Sequence, residues 1–113
     1  PKEATGQLNG VSFQLTDFSF MPAKGMKPKH TLNLMKKAKL PTEKTECGAF
    51  VLELKVNGEA EIIIDQKQTY PISSDGKESI YIGRRFFNQS IPDIQVKGDK
   101  AKVKKMKLNM WEL

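Results

Sequence analysis

A two-residue hydrophobic rhythm constrains this chain more than any other feature. Val11, Phe13 and Leu15 alternate with Ser12, Gln14 and Thr16, and Leu32 and Leu34 stand two apart within residues 31–35. Phe50, Leu52, Leu54 and Val56 alternate with Val51, Glu53 and Lys55, and Ala60, Ile62 and Ile64 with Glu59, Glu61 and Asp65. Near the end, Met106, Leu108 and Met110 alternate with Lys105, Lys107 and Asn109. Successive side chains of a strand point to opposite faces, so alternation of this kind marks strands with one dry face. No segment carries the 3.6-residue period of a long amphipathic helix. Residues 33–40, stopped by Pro41, support one or two helical turns at most.

The rhythm changes phase twice. Phe18 and Phe20 fall on the opposite parity from Leu15, and Ala101 and Val103 on the opposite parity from Met106. A phase change inside a strand implies a bulge or a change of partners at a bend, so one or the other is expected near Thr16 and Asp17, and a second bulge near Lys104 and Lys105. Asn57 and Gly58 have the chemistry of a tight hairpin turn. A three-residue loop there sets Leu54 against Ile62, Leu52 against Ile64 and Lys55 against Glu61, pairing like with like across the strands. Asp75 with Gly76, and residues 97–100, have turn chemistry as well.

The expected fold is all-β: an antiparallel β-sandwich or flattened barrel of about six to eight strands with little helix. The 113 residues leave room for one domain, spanning 1–113. The core is expected from Phe13, Leu15, Phe20, Leu32, Leu34, Phe50, Leu52, Leu54, Ile62, Ile64, Ile80, Ile82, Met106, Leu108 and Met110. No apolar run approaches the ~20 residues of a membrane-spanning helix. The first residue is Pro1, compatible with a removed leader or with a domain cut from a larger protein, and export to the periplasm or the extracellular space is slightly favoured.

Scarcity removes much chemistry. The chain has one Cys and one His, which excludes an internal disulfide framework and any site built on two imidazoles. Cys47 lies between Glu46 and Gly48, where a negative neighbour disfavours the thiolate. Met21, Met26, His30 and Met35 have ligand types suited to Cu(I), but Lys24, Lys27 and Lys29 interleave with them and repel a cation. Glu59, Glu61 and Asp65 share the parity of a solvated strand face, not of a catalytic pair. Neither a metal nor a cofactor is expected.

The net charge of +6 is unevenly placed. Residues 24–44 hold seven Lys against Glu43, and residues 97–107 hold six Lys against Asp99, around a middle that is net acidic. A polyanion-binding surface would use Lys24, Lys27, Lys29, Lys36, Lys37, Lys102, Lys104, Lys105 and Lys107. Lys outnumbers Arg 17 to 2, and Arg is the residue suited to bidentate phosphate recognition, so nucleic acid is not favoured. For a ligand such as a carbohydrate, the candidate contacts are Trp111, Tyr70, Tyr81, Arg84 and Arg85. The function expected from these residues is that of a non-catalytic β-module binding a ligand, a protein or a polysaccharide. The alternatives are a basic polyanion or nucleic-acid binder and, less favoured, a small hydrolase.

Overall fold

The computed structural model describes residues 4–8, 11–36, 39–98 and 102–113, and the side chains from Ser19 onward within them. Its organising element is a single strand of 20 residues, β4, Thr45–Ile64. Phe50, Leu52, Leu54, Val56, Ala60, Ile62 and Ile64 are all buried on one face of it. Around it stand β1 (Ala4–Leu8), β2 (Val11–Phe18), β3 (His30–Asn33), β5 (Gln68–Asp75), β6 (Ile80–Gln89), β7 (Ile94–Lys97) and β8 (Val103–Glu112).

The hairpin expected at Asn57 and Gly58 does not form. The chain passes through both residues as strand, with Gly58 at φ +120°. The glycine's conformational freedom is used for a bend where β4 exchanges one set of neighbours for another. Up to Leu54 its partner on one edge is β6, and from Asn57 it is β5. On the other edge β8 serves residues 48–56 and β7 serves residues 61–64. Leu54 therefore faces Ile80 and Met106, Ile62 faces Tyr70 and Val96, and Lys55 faces Lys105, none of them the partners a short hairpin would give. The true reversal is at Asp65, Gln66 and Lys67: the first two have φ of 54° and 58°, and Lys67 N donates to the Ile64 carbonyl at 3.1 Å. Two successive positive φ angles make the turn whose twist matches that of flanking strands. Asp75 and Gly76 likewise do not reverse the chain. Residues 76–79 interrupt it, and β6 resumes along the same edge of β4 that β5 occupied.

Straight, β4 would run about 65 Å, yet the longest dimension of the molecule is 35 Å. Its two ends are brought together. Asp65, just past the last residue, donates its amide to the Asp93 carbonyl at 2.9 Å, and its Oδ1 accepts from Gln89 Nε2 at 3.5 Å. Gln89 is itself the cross-strand partner of Thr45 at the strand's beginning. The bent strand thereby encloses one core with residues from both halves: Phe50, Leu52 and Leu54 with Ile62, Ile64, Tyr70 and Ile72.

The strand order of the main sheet is β1-β2-β6-β4-β8-β3. β2 and β6 run parallel, an exception to the expected antiparallel pairing. Each phase change falls at a bulge, between Leu15 and Asp17 where β2 meets β6 and at Lys104 where β8 meets β4. The helical turns expected over 33–40 are absent among the described residues. Asn33 Oδ1 accepts from Met35 N at 3.0 Å and Lys36 N donates to the Asn33 carbonyl at 3.2 Å, which closes a local turn in place of a helix start. Lys37 and Ala38 lie outside the described residues. So do Asp99 and Lys100 of the last expected turn, Ala101, and the side chains of Phe13 and Leu15. Every other residue expected in the core is buried except Leu34, which packs partly exposed at its rim. No helix among the described residues is long and apolar enough to cross a membrane.

Candidate functional site

The strand order forces a crossing. β2 and β3 follow one another in the chain but flank opposite sides of β6, β4 and β8, about 19 Å apart at ordinary strand spacing. Residues 19–29 span that distance as a strap over the outer face of the sheet. At the start, Ser19 N donates to the Gly83 carbonyl at 2.8 Å; at the end, Lys29 N donates to the Met110 carbonyl at 2.7 Å. Gly25, at φ +85°, turns the strap in its middle, and Met26 N donates to the Ala23 carbonyl at 3.0 Å.

The strap explains residues that break the one-dry-face rule. Ala49, Val51, Tyr81 and Trp111 point away from the main core, yet they are buried with Phe20 as a second cluster. The Phe20 and Trp111 rings lie tilted with centroids 5.6 Å apart, and Trp111 Nε1 donates to the Met26 carbonyl at 3.1 Å. A strand covered on both faces loses its alternation, and residues 49–52 of β4 are buried without interruption. Phe20, expected in the main core, belongs to this outer cluster.

Between the strap and the sheet lies a cavity of about 210 Å³. Its sheet wall carries Glu53, Tyr81, Lys107 and Asn109 beside Val51 and Trp111, and Pro22, Ala23, Met26 and Pro28 form its roof. Glu53 is fixed in place. Its Oε2 accepts from Lys105 Nζ and from Ser79 Oγ, each at 2.9 Å. Burial pushes its carboxyl up, but hydrogen bonds from Lys105, Ser79 and Tyr81 and the Lys105 charge outweigh that, and its pKa lies below the ordinary value. The Tyr81 hydroxyl is pushed up to about 12 by burial and by the Glu53 charge. Both groups thus keep their usual protonation states at neutral pH, a carboxylate and a neutral phenol. Asn109 Oδ1 accepts from Thr31 Oγ1 at 2.8 Å, which leaves the Asn109 amide hydrogens as donors.

The candidate contacts fall into separate places. Trp111 and Tyr81 meet at this cavity with Lys107, and Lys105 stands next to it through Glu53. Tyr70 is buried in the main core, where Arg84 Nη1 donates to its hydroxyl. Arg85 is exposed on β6 opposite Ala49. The three aromatic residues are all buried and form no shared exposed platform. Lys24, Lys27 and Lys29 lie on the strap, Lys29 paired with Glu112 at 3.2 Å. Lys36 follows β3, and exposed Lys102 and Lys104 stand at the start of β8. Lys37 lies outside the described residues. Glu53, Asn109 and Met26 are the site residues that pattern reasoning overlooks. The signal for them is indirect: apolar Ala49, Val51 and Trp111 on the nominally wet parity imply a cover, and a cover makes a cavity. Among the described residues no group of three or more His, Cys, Asp or Glu is placed to hold a metal ion. No family model, no curated protein and no solved structure matches this chain.

Proposed function

We propose that this chain is a non-catalytic β-module that binds a small ligand, or the tip of a partner chain, in the cavity beneath the strap. One observation carries the reading. In about 210 Å³ the cavity combines an apolar wall, Val51, Met26 and Trp111, with the polar groups of Glu53, Lys107 and Asn109, the composition of a recognition site. Glu53 supports a structural and not an acid-catalytic role, because its carboxyl is held ionised where a general acid needs a raised pKa. That argues against the hydrolase alternative. Burial of Tyr70, Tyr81 and Trp111 argues against a flat sugar-stacking surface.

The test is a screen of small acids, amines, alcohols and amides by ¹H–¹⁵N correlation spectra. Binding at the cavity shifts the Trp111 indole N–H, the Asn109 side-chain amide and the strap amides together. Shifts confined to other surfaces, or none with any class of compound, overturn the reading.

A polyanion-binding alternative has one observation in its favour: Lys24, Lys27, Lys29, Lys105 and Lys107 belong to the strap and the face it covers. Lys29 and Lys105 are already paired with Glu112 and Glu53, which reduces the charge left for phosphate or sulfate. Retention on heparin at 0.3 M salt or above would favour this alternative, and elution at lower salt would set it aside.

A further inference from the structure

Resting on the cavity reading above, we infer that the cavity beneath the strap recognises a carboxylate carried on a small apolar body, with Lys107 as the anion-binding residue. The inference begins from the way charges are distributed on its wall. Glu53 and Lys107 are direct cross-strand partners on β4 and β8, the arrangement in which opposite charges ordinarily neutralise one another. Here they do not. Glu53 is satisfied instead by Lys105, two residues along β8 from Lys107, and by Ser79 from the opposite edge of β4, each 2.9 Å from Oε2. No carboxylate of the described residues lies within ion-pair distance of the Lys107 ammonium. Lys107 is half-buried and lines the cavity. A half-buried cation on a cavity wall, with no ion-pair partner among the described residues, offers an anion a charged hydrogen-bond donor.

The neighbouring groups narrow the anion. Asn109, also on the wall, has its carbonyl oxygen engaged by Thr31 and its amide hydrogens without a partner among the described residues. Two donors, one charged and one neutral, stand two residues apart on the same face of β8, which suits the two oxygens of a carboxylate. Val51, Met26, Pro28 and Trp111 offer only apolar surface to the rest of the ligand. Cavities for drug-sized ligands begin near 300 Å³, so at about 210 Å³ the occupant is a short aliphatic acid or the carboxyl end of a chain. Glu53 adds selectivity, since its fixed negative charge repels a dianion more strongly than a single carboxylate.

The chain has one tryptophan, so the Trp111 indole N–H reports on the cavity without ambiguity. Hexanoate, hexanamide and hexylamine are titrated into the labelled protein, alongside N-acetyl-leucyl-leucine as the free acid and as the amide. Saturable shifts of the Trp111 and Asn109 side-chain signals are expected with the acids, and binding at least tenfold weaker with the amides and the amine. Tighter binding of the peptide acid assigns a chain terminus, and tighter binding of hexanoate assigns a free small acid. Lys107→Gln should weaken hexanoate about tenfold or more, with Lys107→Arg retaining most of the affinity and Lys77→Gln unchanged. Equal binding of acid and amide, or an undiminished Lys107→Gln, overturns the carboxylate assignment while leaving the cavity a binding site. Failure of all five compounds to shift any cavity signal overturns both.

Discussion

Glu53 forms its ion pair diagonally, with Lys105 at 2.9 Å, and not with Lys107, which stands directly opposite it in the strand register. Ser79 anchors the same carboxylate oxygen from the neighbouring edge of β4, so the acid is held by groups from both sides of its strand. This choice of partner shapes the cavity beneath the strap, because it leaves Lys107, which lines the cavity, without an ion-pair partner among the described residues. The same relationship sets the pH dependence.

The Glu53 carboxyl lies below its ordinary value of 4.5 in the folded protein. Its contribution to stability is therefore complete above about pH 4.5 and is lost as pH falls through the lower folded value. Urea midpoints of wild type and Glu53→Gln should differ at pH 7, and the gap should narrow as pH falls below 4.5. A gap that does not narrow at all on acidification would show that the carboxylate charge is not what Lys105 and Ser79 stabilise.

Trp111 ties the strap to the sheet through its indole N–H and its contact with Phe20. Trp111→Phe should cost about 1 kcal/mol from the lost hydrogen bond, and Trp111→Ala about 3–5 kcal/mol from the cavity left behind. Trypsin should cut after Lys24, within the strap, faster in both variants, as mass spectrometry of timed digests would reveal. Unchanged cleavage rates would mean the strap is held by other contacts.

Gly48 has the Phe86 ring over the place a Cβ would occupy, and the two residues are cross-strand partners. Gly48→Ala should destabilise by about 1–3 kcal/mol, the usual cost of forcing atoms into a packed site. Adding Phe86→Leu should recover part of that loss, read as a double-mutant cycle in urea. Additive effects would deny the contact.

Gly58 marks the bend in β4 at φ +120°, with the Lys102 stem nearby. Gly58→Ala should cost about 1–3 kcal/mol, because side chains other than hydrogen rarely tolerate this backbone region. Gly25→Ala, with nothing near its missing Cβ and a φ of +85°, should cost less, near 1 kcal/mol. Thermal midpoints of the two variants give the comparison, and an inert Gly58→Ala would contradict the bent strand.

Much of the fold was legible in the residues themselves. Most of the strands, their dry faces and the sites of both bulges follow from local alternation, since a phase change in the pattern marks an inserted residue or a change of partners. The bend at Gly58 was not legible, because Asn57 and Gly58 have the chemistry of a turn whether the chain reverses or merely changes neighbours. The apolar parity that runs unbroken from Phe50 to Ile64 suits a single strand and a hairpin with a three-residue loop equally, so it did not decide between them. The strap was legible only in retrospect, through Ala49, Val51 and Trp111.

That this is an all-β chain with two lysine-rich stretches and few groups able to do chemistry can be read from the order of its residues alone. Each of those properties is local or additive, and pattern and count are enough to establish them. Packing alone selects which strands neighbour β4, sends residues 19–29 across its outer face, and leaves Lys107 without an ion-pair partner among the described residues while Lys105 has one. Those depend on contacts between residues far apart in the chain. Trp111 to Met26 and Glu53 to Lys105 are such contacts, and no period in the sequence encodes which of several lysines a carboxylate will meet.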